Sequence, residues 1–166
     1  MKKKITIVDY GAGNILSLKR ALEYLSFNVE VVSDPGSINN ASYLILPGDG
    51  AFGYAVKKLK DKKIYESVIN HIFHQKPFLG ICIGMQLLMT KSSEFGEHKG
   101  CNIIQGKITK IVKSKNIKVP PIGWSEIIIN DKHNKLGPIN FKEFNKKSFY
   151  FVHSYKAEVK NDNDLI

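Results

Sequence analysis

Four short apolar runs, each stopped by a turn, constrain this chain more than any other feature: Ile5–Val8, Val29–Val32, Tyr43–Leu46 and Phe78–Ile81. Each has strand length, and the stretches between them carry helical periodicity. Ile15, Leu18, Leu22 and Leu25 recur at helical spacing across Asn14–Ser26, with Asn14 placed as the N-cap. A long helix is expected over Tyr54–Gln75 and another over Gly84–Lys91, while Asp34-Pro35-Gly36 reads as a turn closing the second strand. Strands alternating with helices demand a parallel sheet, because each crossover helix returns the chain in the same direction. Ligands of such sheets bind beyond the carboxyl ends of the strands. The turns Gly11–Gly13, Pro47–Gly50 and Cys82–Gly84 all follow strands, so they should gather on one edge.

From Gly100 the pattern changes. Ile103–Val112, Glu126–Ile129, Phe149–His153 and Lys156–Val159 read as strands with tight connections and no helix between them. The expected fold class is three-layer α/β: a mostly parallel sheet with helices on both faces, plus a β-rich C-terminal extension. A chain of 166 residues is long enough for one domain, 1–166, with a buried core.

No apolar run approaches the roughly 18–20 residues that span a bilayer. Met1-Lys2-Lys3-Lys4 begins like a basic leader, but Asp9 arrives before any long apolar region. The expectation is a cytoplasmic protein without membrane contact. The net charge of +10 comes from lysines scattered along the chain, with local groups at Lys57-Lys58-Leu59-Lys60 and Lys146-Lys147. No nucleic-acid motif accompanies them, so a solvated basic surface is expected, one able to steer an anionic metabolite or an acidic partner. The two cysteines, Cys82 and Cys101, form neither a disulfide framework nor a zinc spacing. No metal and no organic cofactor are expected. His71, His74, His98 and His133 stand in no supporting pattern and are expected at the surface.

The segment Gly80-Ile81-Cys82-Ile83-Gly84 has the form Gly-x-Cys-x-Gly directly after a strand. It is the cysteine counterpart of the Gly-x-Ser-x-Gly nucleophile elbow. A nucleophile on a sharp turn leaves no space for side chains at the flanking positions, and Gly80 and Gly84 remove them. A helix starting near Ile83 points its N-terminus at the thiol, which favours negative charge there, and the Ile83 N–H can donate to an oxyanion. Cys82 is therefore the candidate nucleophile. A thiol elbow by itself also suits a DJ-1-like hydrolase or chaperone, or a cysteine hydrolase of another substrate.

Gly80-Ile81-Cys82-Ile83-Gly84-Met85-Gln86 resembles the elbow of the class I (triad) glutamine amidotransferases, which have a flavodoxin-like core. Further segments narrow the likeness: Ile7-Val8-Asp9-Tyr10-Gly11-Ala12-Gly13-Asn14, Leu46-Pro47-Gly48, Gly50-Ala51-Phe52, Ser93-Glu94-Phe95-Gly96, Gly123-Trp124 and Phe149–Tyr155. Together they resemble the glutaminase subunit of imidazole glycerol phosphate synthase, from Ile5 to about Glu158. The resemblance implies that Cys82 attacks L-glutamine, forms a glutamyl thioester, and releases ammonia and then glutamate. It implies oxyanion donors at Gly48, Asp49 and Ile83, and substrate contacts at Gly50, Gln86, Ser154 and Tyr155. It also implies a (β/α)8-barrel cyclase partner that receives the ammonia in histidine biosynthesis, with Asn14, Trp124 and Tyr150 facing it. Without the resemblance, Trp124 would be read as core packing and Asn14 only as a cap.

The sequence departs from the family pattern in several places. The catalytic histidine and glutamate of the family lie in a His-Pro-Glu motif, and none occurs in these residues. The base and acid are thus not present here, and the expectation is a chain lacking its C-terminal segment. His153 belongs to the preceding Val-His-Ser-Tyr motif and is not assigned as the base. Asp49 stands where the family has a small apolar residue; Pro121, Ser125 and Ser17 also differ. These changes leave open a paralogue serving a sugar amidotransferase in surface-polysaccharide synthesis. A non-catalytic scaffold subunit is a further alternative.

Overall fold

The computed structural model describes residues 3–114, 118–129, 135–136 and 139–164. The first half runs β1 (Lys4–Val8), α1 (Ile15–Tyr24), β2 (Asn28–Val32), α2 (Pro35–Asn40), β3 (Leu44–Leu46), α3 (Phe52–Asp61), α4 (Tyr65–Phe73), β4 (Phe78–Gly80) and α5 (Ile83–Gln86). Its four strands form one parallel sheet in the order β2-β1-β3-β4, with Ile5 opposite Val29, Ile7 opposite Ile45 and Leu46 opposite Gly80. The expected α/β class is what the chain adopts. The core joins Val8, Leu44 and Leu46 of the sheet to Phe52 and Leu59 of α3, Val68 of α4 and Ile38 of α2. Each large apolar side chain buried this fully contributes about 1.5–3 kcal/mol.

The helix expected over Tyr54–Gln75 is two helices. Asn14 does cap α1, its side chain accepting from the Ser17 N–H at 3.1 Å. α3, however, stops at Asp61 in a Schellman arrangement: Lys63 takes φ +58, its N–H donates to Lys60 O, and the Ile64 N–H donates to Leu59 O. Leu59 and Ile64 are both fully buried, which supplies the apolar contact typical of this motif. Glycine usually occupies the left-handed position, so a lysine there leaves no sequence signal. α1 and α4 end in the same way at Ser26 and Gln75. The turn expected at Asp34-Pro35-Gly36 is instead the start of α2: the Asp34 carboxylate accepts from the Ser37 N–H at 2.9 Å, and Pro35 occupies the first helical turn.

The helix expected over Gly84–Lys91 is also corrected. α5 is a single turn, and Met89–Ser92 forms β5. After it come β6 (His98–Lys99), β7 (Ile104–Lys110), β8 (Ile122–Glu126), β9 (Lys135–Leu136), β10 (Ile139–Asn140), β11 (Ser148–Val152) and β12 (Tyr155–Val159). A second sheet runs β12-β7-β5-β6, with β5 parallel to β7 and the other pairs antiparallel. β5 has one apolar residue in four and is too short to announce itself; pairing with β7 makes it a strand. The strand expected at Glu126–Ile129 lies earlier, at Ile122–Glu126, because β11 pairs there, Trp124 opposite Tyr150 and Gly123 opposite Phe151.

No helix among the described residues is long and apolar enough to cross a membrane. His71 is not at the surface as expected: it is 3% exposed, and its Nε2 lies 3.1 Å from the carbonyl oxygen of Pro77. His98 is half-buried against Gly53, His74 is exposed, and His133 lies outside the described residues.

Candidate functional site

Cys82 follows β4 with φ +54 and ψ −115, and it is exposed. Non-glycine residues seldom hold such a conformation, and its strain is of order 1–3 kcal/mol. The surroundings enforce it. A Cβ on Gly84 would run into the carbonyl oxygen of Leu46 and stand 2.7 Å from its carbon. A Cβ on Gly80 would stand 2.8 Å from the Gly84 carbonyl and from Met85 Cα. The two glycines thus let the elbow fold back on itself and lie against the end of β3. The Ile81 N–H donates to Leu46 O at 3.0 Å and fixes the approach.

The three strand-end turns meet as expected. Gly48 sits against the elbow: a Cβ on it would stand 2.9 Å from Ile83 Cβ and 3.2 Å from Gly84 N, and would overlap the Tyr10 hydroxyl. Tyr10 is fully buried and donates through Oη to Pro47 O at 2.9 Å. Burial holds its phenol well above the ordinary range, and the nearby Asp49 and Cys82 add to the effect. The Asp49 carboxylate accepts the Gly13 N–H at 3.0 Å, which ties the β3 turn to the β1 turn. The Ile83 N–H belongs to the first turn of α5, whose donors have no partner within the helix. Among the described residues, the N–H groups of Gly48 and Asp49 likewise donate to no backbone acceptor in the turns and loops. Gly48 thus lies against Ile83 on the wall beside Cys82, and Asp49 follows it in the same turn. Since α5 is one turn long, its dipole is smaller than the longer helix expected from the sequence would supply.

A cavity of about 450 Å³ opens at the thiol, lined by Cys82, Met85 and Gln86 from the elbow and by Tyr150, His153 and Tyr155 from the β-rich extension. Gln86 is only 6% exposed, and its Oε1 has no hydrogen-bond partner among the described residues. A buried amide oxygen without a partner costs about 1–3 kcal/mol. Of the four expected substrate contacts, Gln86 and Tyr155 line this cavity. Gly50 (φ +79) sits in the β3 turn instead, and the Ser154 carbonyl accepts from the Ile111 N–H at 2.9 Å. His153 Nδ1 is paired with Tyr155 O at 2.9 Å.

Trp124 and Tyr150 are 73% and 55% exposed, with their rings edge to face at a centroid distance of 5.9 Å. Trp124 is therefore not core packing. Asn14 is exposed at the start of α1, beside the same Gly13 that Asp49 holds. Tyr150 also reaches the cavity that contains Cys82, so the aromatic surface and the cavity adjoin.

Sequence reasoning gave no role to two residues that build this wall. Tyr10 is one. Glu94 is the other: its buried Oε2 accepts from Phe52 N at 2.7 Å and so caps α3, where Ala51 offers no capping side chain. A helix start with no local cap was the available signal.

Known proteins resemble this chain in sequence and in fold. The family Glutamine amidotransferase class-I matches residues 6–165. The imidazole glycerol phosphate synthase subunit HisH 1 of Legionella pneumophila (strain Paris) is 39% identical over 166 residues, covering 95% of this chain and 76% of that protein. The chloroplastic imidazole glycerol phosphate synthase hisHF of Arabidopsis thaliana is 39% identical over 159 residues, covering 96% of this chain and only 26% of that much longer protein. A crystal structure of a glutamine amidotransferase superposes with a TM-score of 0.65 at 15% identity, over 94% of this chain and 74% of that one, which supports the fold alone. The chain belongs to the class I glutamine amidotransferase family, among the HisH subunits of imidazole glycerol phosphate synthase.

Proposed function

We propose that Cys82 is the nucleophile that hydrolyses L-glutamine to glutamate and ammonia, and that the ammonia passes to a (β/α)8-barrel cyclase partner in histidine biosynthesis. The observation that carries this reading is the elbow itself: an exposed thiol held at φ +54 between two glycines, opening on a cavity lined in part by Gln86. The sulfur attacks the carboxamide carbon, the departing nitrogen takes the proton the thiol has lost and leaves as ammonia as the C–N bond breaks, and a glutamyl thioester remains until water cleaves it. The negative oxygen of each tetrahedral intermediate takes hydrogen bonds from Ile83 N–H and from the Gly48 and Asp49 peptides. Gln86, Gly50, Ser154 and Tyr155 hold the amino and carboxylate groups of the substrate.

The reaction needs a general base; His153 lines the Cys82 cavity and pairs through Nδ1 with Tyr155 O, but we do not assign it as the base because it belongs to the Val-His-Ser-Tyr segment, which in the family precedes the catalytic histidine. The matched stretch covers 76% of the Legionella pneumophila relative's length. Asn14 and the Trp124–Tyr150 pair form the partner-facing surface. The relatives' names favour the histidine-pathway partner over a sugar-modifying synthase. We place the enzyme in the cytoplasm. Glutamate release by the protein with its synthase partner tests the proposal: Cys82→Ala should abolish it, and full activity in that variant would overturn the assignment.

A further inference from the structure

The turn packed against the elbow carries a carboxylate in an awkward place. A free negative charge on the residue that offers an oxyanion donor would oppose the oxyanion itself. The structure shows where that charge goes: Asp49 Oδ1 turns away to accept the N–H of Gly13, 36 residues earlier, at 3.0 Å. The two turns are already in contact, since a Cβ on Gly13 would stand 3.3 Å from both Gly48 Cα and Gly48 N. The β1 turn is anchored in its own right. Gly13 O accepts from Ile15 N at 3.0 Å at the start of α1, and Tyr10 Oη holds Pro47 O at 2.9 Å. The β3 turn is thus held twice by the β1 turn, at Pro47 through a backbone carbonyl and at Asp49 through a side chain. Gly48 and Gly50 flank Asp49 and bring no side chains of their own to hold it, so those two bonds add to the packing of Gly48 on the elbow in resisting rotation of this segment.

We propose that the Asp49 side chain is a positioning residue for the glutaminase reaction: by gripping the Gly13 N–H, it holds the β3 turn, with Gly48 packed on Ile83 and Gly84, in place against the elbow. The inference rests on the glutaminase reading above. An apolar residue at this position could not make the grip, whereas an asparagine could, because its amide oxygen also accepts. Loss of the grip frees the donors to rotate, which weakens transition-state stabilisation while leaving the Gln86 side of the cavity intact.

The test compares Asp49→Leu and Asp49→Asn with the unaltered protein, each with its synthase partner, measuring glutamate release, and each alone, measuring amide exchange at Gly13 by NMR. Asp49→Leu should lower kcat about tenfold with KM changed less than about twofold, the pattern of an interaction made only in the transition state. Asp49→Asn should recover kcat to within about threefold of the original. Gly13 amide exchange should quicken about tenfold in Asp49→Leu and little in Asp49→Asn. An unchanged kcat in Asp49→Leu, a failure of Asp49→Asn to rescue, or identical Gly13 exchange in all three proteins would overturn the proposal. If the unaltered protein released no glutamate, the glutaminase reading would fail instead, and Gly13 exchange would still decide whether the grip exists.

Discussion

Gly84 packs so closely on the carbonyl oxygen of Leu46 that a β-carbon there has nowhere to go. The obstacle is backbone on both sides, so no rotamer change relieves it. Gly84→Ala should therefore push the elbow off the end of β3. We expect a loss of about 1–3 kcal/mol, read as a lower urea midpoint with unchanged m. A variant as stable as the original would mean that the elbow and β3 do not approach as described.

Cys82 stores strain in its own backbone. Glycine tolerates φ +54 without the steric cost a β-carbon brings. Cys82→Gly should be more stable than the original by about 1 kcal/mol, a thermal-melt increase of a few degrees, while Cys82→Ala should melt within error of it. Under the proposed mechanism both lose glutamine hydrolysis. Stability and activity would then move in opposite directions at one position, as expected where a site holds strain for chemistry.

Glu94 caps α3 from a distant loop. Its carboxylate is buried and receives the Phe52 N–H at 2.7 Å. Glu94→Ala leaves that donor unpaired and should cost about 1–3 kcal/mol by denaturant unfolding. Glu94→Gln keeps an acceptor and should lose less, the remainder reflecting the charge favoured at a helix N-terminus.

His71 makes stability depend on pH in a definite direction. Burial lowers its pKa below the ordinary 6.5; the Lys76 charge adds to this, and the hydrogen bond to Pro77 opposes it. The unfolded chain then binds a proton more readily than the folded one. The contribution is complete above about pH 6.5 and is lost as pH falls from there through the folded value. His71→Gln keeps a donor for Pro77 and removes the titration. Unfolding measured across this acidic window should show a shallower pH dependence in the variant; parallel curves would remove His71 as the cause.

The Trp124–Tyr150 pair tests the partner surface. Both rings are largely exposed, so Trp124→Ala should leave the melting temperature of the isolated protein nearly unchanged. If the surface meets the synthase partner, affinity should drop by about 2 kcal/mol, roughly thirtyfold, in a calorimetric titration. Equal affinity would move the interface elsewhere.

The sequence alone settled the parts of this protein that depend on local pattern. Short apolar runs with intervening helical periodicity determined the parallel sheet, and Gly80-Ile81-Cys82-Ile83-Gly84 located the elbow and the reason for its glycines. Asn14 announced its cap because capping is a contact between near neighbours. What sequence could not show depends on partners far along the chain. α3 and α4 separate at a lysine in the left-handed position, held there by burial of Leu59 and Ile64. β5 is a strand only because β7 lies beside it, and β8 begins at Ile122 because β11 selects that register. Glu94 and Tyr10 gain their roles from backbone groups 42 and 37 residues away. Asp49 looked like an ill-placed charge in the sequence, and only the fold brought the Gly13 amide to it. The physical reason is common to all of these: periodicity and capping are written within a few residues, whereas the partner of a buried polar group or a strand edge is chosen by how the whole chain packs.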